Sequence, residues 1–105
     1  DLVFDVRFLA NPHYVDELRP LTGRDPRVGA HVAADPSYQP FLESLCGLIA
    51  ELLPLYRREG KSYLTVAIGC TGGRHRSVFV ADQIAKRLDW AGDQVQIRHR
   101  DAVED

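Results

Sequence analysis

The 105-residue chain lacks methionine, has a single tryptophan and carries only two cysteines, Cys46 and Cys70. Two thiols are too few to staple a small secreted domain, so a reduced, cytoplasmic setting is expected. No apolar run approaches the roughly 20 residues that a membrane helix needs, so no bilayer-spanning helix is expected. Repeats, linkers and low-complexity stretches are absent as well. Lysine is scarce: eleven of the thirteen cations are arginine, the side chain suited to a bidentate grip on phosphate or carboxylate. The chain opens on Asp1 with no charged-then-apolar leader and reads as a fragment or processed piece. What remains is ordinary. With 45% hydrophobic and 27% charged residues, residues 1–105 describe one globular domain rather than a disordered or fibrous chain.

The net charge of -2 is unevenly spread, at -3 over residues 1–60, +4 over 61–100 and -3 over 101–105. The whole chain is therefore no bulk nucleic-acid binder, but its second half can hold an anion. Leu2–Leu9 alternates, with Leu2, Phe4, Val6 and Phe8 on one face, and predicts a strand. Asn11-Pro12-His13 breaks it, and Thr22–Pro26 reads as a turn-rich loop. From about Tyr38 the apolar spacing becomes helical, with Pro54 expected to kink or shorten that helix and Gly60 to stop it. Ser62–Gly69 predicts a buried strand. Val78, Ala81, Ile84, Ala85 and Leu88 form the inner stripe of a second helix, and Val95–His99 predicts a last strand.

Helical crossovers join parallel strands, so the expected fold is α/β, a small parallel-type sheet flanked by helices. Ligands in open α/β sheets sit beyond the carboxyl ends of the strands. The segments leaving those ends are Asn11-Pro12-His13, Cys70–Ser77 and His99-Arg100-Asp101, which hold three of the four histidines. The sharpest motif is Cys70-Thr71-Gly72-Gly73-Arg74-His75-Arg76-Ser77. Glycines allow positive φ, and a turn into a helix N-terminus aims several N–H groups at one spot. Two arginines and the Thr71 and Ser77 hydroxyls add donors. Each part favours a phosphate, where a plain helix-capping turn needs neither arginine. The same stretch reads Cys-x5-Arg-Ser and resembles the loop of cysteine-dependent phosphatases, which makes Cys70 and Arg76 an alternative catalytic pair. Against that stand Gly69 where those enzymes place a histidine and the lack of a recognisable general-acid Asp.

Five stretches together resemble the C-terminal domain of the RapZ family of RNase adapter proteins: Phe4–Phe8, Asn11-Pro12-His13, Leu18-Arg19-Pro20 with Thr22-Gly23, Ser62–Ser77, and Arg98-His99-Arg100. The resemblance covers nearly the whole chain. It implies a fold similar to a phosphofructokinase subdomain, a missing Walker-type N-terminal domain that would carry any ATP or GTP binding, and a homo-oligomer. It further implies a non-catalytic domain that binds glucosamine-6-phosphate and small regulatory RNA and presents RNA to RNase E. Carried over by position, the sugar-phosphate residues are Asn11, His13 and Cys70 through Ser77. The RNA contacts are Arg19, Arg74, Arg76, Arg98 and Arg100. Members of the family often end in a basic tail, whereas Ala102-Val103-Glu104-Asp105 is acidic, which implies weak RNA affinity for this piece alone.

No His/Cys/carboxylate spacing supports a metal site, and no cofactor is expected. Phe8, Tyr14 and Tyr38 are expected in the core rather than stacked on bases. Cys46 is expected in the core as well. His31 and Trp90 read as surface or packing residues, and Asp5 as either a partner for a site arginine or a solvated carboxylate.

Overall fold

The structure is a computed structural model in which residues 1–61, 63–88 and 99 are described. The order is β1 (Leu2–Asp5), a single 3-10 turn (Pro12–Tyr14), α1 (Pro26–Ala33), α2 (Tyr38–Arg58), β2 (Val66–Gly69) and α3 (Arg76–Arg87). β1 and β2 pair in parallel, with Leu2 opposite Val66 and Asp5 opposite Gly69. The fold is α/β with a small parallel sheet, as the sequence predicts. Leu2, Phe4, Val66 and Ile68 turn inward, while Val3, Asp5, Ala67 and Gly69 face out. The core forms where α2 and α3 cover the inner face, around Val6, Leu9, Val32, Leu42, Leu45, Ile49, Val80 and Ile84.

Both strands are shorter than their sequence patterns. β1 ends at Asp5 because that carboxylate turns back to accept from the Arg7 N–H at 2.9 Å, fixing a turn that leaves Phe8 half exposed. Phe8 stacks edge-on against Phe41 at 5.0 Å instead of entering the core. Tyr14 is likewise exposed, and of the three aromatics assigned to the core only Tyr38 is buried. Cys46 is half-buried and packs against the core. β2 begins at Val66 rather than Ser62, and residues 95–98 of the predicted last strand lie outside the described residues.

α1 is absent from the sequence reading, although Asp25 caps it by accepting from the Arg27 N–H and Pro26 occupies its first turn. Pro54 does not end α2, which continues to Arg58. Its ring sits at an exposed position, where it costs one late hydrogen bond to the Ala50 carbonyl, a group that water can satisfy.

Candidate functional site

Beyond Gly69 the chain turns sharply through Gly72 (φ 81°) and Gly73 (φ 62°) into the N-terminus of α3. Only these two loop glycines need the left-handed region, which a Cβ would strain. The ladder carries past β1, since the Val6 N–H donates to the Gly69 carbonyl at 2.8 Å. Residues 6–9 therefore run beside the loop.

The cationic side chains of the loop are turned toward the segment 7–21. Arg76 is 4% exposed, and its Nη1 donates to the carbonyls of Arg7 and, at 3.1 Å, Leu9. Arg74 donates from Nε to the Leu21 carbonyl and from Nη2 to the Pro20 carbonyl. His75 is 7% exposed, with Nε2 3.2 Å from the Arg19 carbonyl. Arg19 in turn donates to the His13 carbonyl and pairs with Asp16. Asn11 accepts from the His13 N–H and so sets the 3-10 turn. The structure thus ties His75, Arg19, His13 and Asn11 into one chain of bonds, while Arg74 and Arg76 separately hold residues 20–21 and 7–9, a bracing of the loop against the segment before it. Sequence could not foresee it, because its acceptors are main-chain carbonyls that no residue type marks.

Thr71 and Gly72 are exposed at the crest of the loop. Beneath them, the Cys70 Sγ accepts from the Ser77 N–H at 3.3 Å. Half-burial pushes the thiol pKa up, but the Ser77 hydroxyl and N–H, the Gly73 N–H and the Arg76 charge outweigh burial and leave it lowered. Burial alone dominates at Cys46 and raises its pKa. Iodoacetamide at mildly alkaline pH should therefore alkylate Cys70 well before Cys46, as peptide mass mapping would show. Faster loss of Cys46 would contradict the electrostatic reading of the loop.

Burial lowers the His75 pKa most; bonds to the carbonyls of Leu21, Arg19 and Leu18 partly oppose it, and the Arg74 charge lowers it further. The folded protein thus prefers the neutral ring, and the unfolded chain binds the extra proton first on acidification. Stability from this residue is full above its ordinary value of 6.5 and falls as pH drops toward the lower folded value. Thermal melts between about pH 7.5 and about pH 5.5 should show this slope, and His75→Gln should flatten it.

Other sequence assignments fall elsewhere. His99 does not join the loop; its Nε2 lies 2.9 Å from Oδ1 of Asp82, six residues into α3, and Arg24 lies 3.6 Å from the other carboxylate oxygen. Asp5 is exposed and pairs with Arg7. His31 sits half-buried in α1. Arg98, Arg100, Trp90 and the acidic end lie outside the described residues. Among the described residues no group of three His, Cys, Asp or Glu could hold a metal ion, and no helix is long and apolar enough to cross a membrane.

A parallel strand pair with its loops gathered at the carboxyl edge of the sheet defines a small α/β domain. More specifically, the chain belongs to the RapZ C-terminal domain family, whose model matches residues 1–103. It is 62% identical over 104 residues to a nucleotide-binding protein of Paramagnetospirillum magneticum, covering 99% of this chain and 34% of that protein. It is 58% identical over 104 residues to one of Rhodospirillum rubrum, with 99% and 33% covered. For one of Koribacter versatilis the identity is 54% over 102 residues, with 97% and 33% covered. The chain spans about a third of the length of these relatives.

Proposed function

We propose that this domain is the small-molecule sensor of a RapZ-type adapter, holding a sugar phosphate such as glucosamine-6-phosphate over the 70–77 loop and catalysing no reaction itself. The observation that carries this reading is the geometry of the loop. Gly72 and Gly73 turn it with positive φ into the N-terminus of α3, leaving Thr71 and Gly72 exposed above the Cys70 Sγ, which accepts from the Ser77 N–H, and the buried Arg76. A loop that lowers a half-buried thiol pKa against desolvation is one whose N–H groups, hydroxyl and buried arginine favour negative charge. A phosphate over Thr71 and Gly72 would use the same field, to which the positive end of the α3 dipole adds. Arg76 then contributes charge from below while holding the segment 7–9.

The hydrolytic alternative is less well supported. It needs the Arg76 guanidinium to grip a phosphoryl group, and the Nη1 of Arg76 is committed to two carbonyls. The loop Cys70–Ser77 also offers no carboxylate to protonate a leaving group.

RNA binding and delivery to RNase E belong, on this reading, to the parent protein, together with the nucleotide binding in the names of its relatives. Within the described residues the exposed Arg7 and Arg19 are paired with Asp5 and Asp16. RNA affinity of this domain alone should be weak and fall steeply with salt.

Isothermal titration tests the sensor reading. Glucosamine-6-phosphate should bind the wild type, and Thr71→Val should weaken binding about tenfold, the cost of one hydrogen bond to a charged group at roughly 1.5 kcal/mol. Saturating ligand should also slow alkylation of Cys70. Absence of heat with any phosphate ester would overturn the proposal.

A further inference from the structure

The peptide unit between Leu9 and Ala10 is held at both ends by opposite charges. Its carbonyl accepts from Nη1 of Arg76 at 3.1 Å, and its N–H donates to Oδ2 of Asp35 at 2.9 Å. No peptide bond among the described residues is cis, so the two groups leave one plane in opposite directions. The negative end of the peptide dipole meets a guanidinium and the positive end a carboxylate. Each bond strengthens the other, because a peptide polarised at one end is a better partner at the other. Asp35 itself is fixed by elements remote from the 70–77 loop. Its N–H donates to the Val32 carbonyl at the end of α1, and its carbonyl accepts from the Tyr38 N–H at the start of α2. Val32 and Tyr38 both belong to the core. The second carboxylate oxygen, Oδ1, accepts from the Ser37 N–H at 2.8 Å, a local turn that sets the direction of the side chain. The oxygen facing Ala10 is thus presented by a rigid joint between two helices.

We infer that Asp35 is a positioning residue for the upstream edge of the sensor site, acting on it through the Leu9–Ala10 peptide; the inference rests on the sensor reading for its ligand. Two effects follow from the one peptide plane. Its orientation sets the direction in which the chain enters Asn11-Pro12-His13, where Pro12 is fully buried and the His13 side chain is exposed. A rotation at Ala10 is therefore carried into the turn that presents His13. The same plane also keeps the Leu9 carbonyl aimed at Arg76. Turned over, it would set an N–H against the guanidinium, donor against donor, and release Nη1 from one of its two acceptors. The joint between α1 and α2 thereby governs both the His13 edge and the charge beneath the loop, with no atom of Asp35 in contact with ligand.

Asp35→Ser and Asp35→Ala together separate positioning from plain stability. Both remove the acceptor of the Ala10 N–H, but the serine hydroxyl still takes the Ser37 N–H and keeps the local turn. Amide exchange followed by NMR should show Ala10 opening about tenfold faster in both variants, the equivalent of one hydrogen bond to a charged group. The Val6 amide, bonded to the Gly69 carbonyl, should exchange as in wild type. Glucosamine-6-phosphate, titrated well below the thermal midpoint of either variant, should bind both about fivefold more weakly than wild type. The two affinities should match, although Asp35→Ala melts lower than Asp35→Ser. Unchanged affinity in both, an affinity loss that follows the loss of stability from one variant to the other, or an Ala10 amide that exchanges as in wild type overturns the inference and leaves the sensor reading standing. A wild type that takes up no phosphate ester overturns the sensor reading, and the positioning role with it.

Discussion

Arg76→Ala should destabilise the domain by about 3–5 kcal/mol, the largest effect expected of any side chain in the loop. Its Nη1 bonds two carbonyls, those of Arg7 and Leu9, in a 4%-exposed setting. Removing the guanidinium leaves both acceptors without their charged donor, at roughly 1–3 kcal/mol each, and opens a void the size of the side chain. A domain of this size has about 5–15 kcal/mol in total. Urea unfolding should therefore show a large drop in midpoint at unchanged slope. Arg76→Lys keeps the charge without the planar fork and should recover part of the loss. An Arg76→Ala protein as stable as wild type would mean that the segment 7–9 does not depend on this arginine. The result also governs how binding data are read: loss of sugar-phosphate affinity in Arg76→Ala reports the fold first and the ligand second, which is why the binding test rests on exposed Thr71.

The second large effect belongs to Gly23. A Cβ at this position would lie 2.2 Å from the His75 carbonyl oxygen, 2.7 Å from the Phe79 nitrogen and 2.9 Å from the Val78 Cβ. Two of those three atoms are backbone and cannot swing aside. The Gly23 N–H also donates to the Arg74 carbonyl at 2.9 Å, so any retreat of the chain puts that bond at risk. Gly23→Ala should cost about 2–4 kcal/mol, the upper end for overpacking. Gly69→Ala is the control. Its nearest atom would be the Phe4 carbonyl oxygen at 3.9 Å, with no positive φ to strain, and its cost should stay within about 0.5 kcal/mol. Thermal melts of the two variants side by side decide the matter, and equal midpoints would refute the close-contact argument.

Legibility of the sequence followed the range of the physics involved. α2 and α3 were readable because their apolar residues recur at helical spacing, and the parallel pairing followed from a helical connection between two apolar runs. α1 escaped because Gly29 interrupts its short stripe of Val28 and Val32. That glycine is there for a distant reason: a Cβ on it would lie 2.7 Å from the Phe79 ring. Asp25-Pro26 was nevertheless an available start signal, a capping residue before a first-turn proline. The glycines and the strand-to-helix setting of the 70–77 loop were legible for the same local reasons. The direction of its side chains was not. Arg74, His75 and Arg76 reach carbonyls more than fifty residues away in sequence, and nothing local distinguishes an arginine facing solvent from one that braces a backbone.

The β1–β2 register also sets the order in which the chain can acquire its shape. Leu2 and Val66 are 64 residues apart, so their first contact closes a loop containing both α1 and α2. Such closure carries an entropic cost that grows with loop length and is recovered only when the ladder and the inner face of the sheet are in place. Helix turns form on far shorter timescales. The two strands should therefore dock late, onto helices already packed around Leu42 and Ile49, and the edge that presents the 70–77 loop is completed last. Until that step the loop has no Arg7 or Leu9 carbonyl to hold, so site and sheet mature in the same kinetic event.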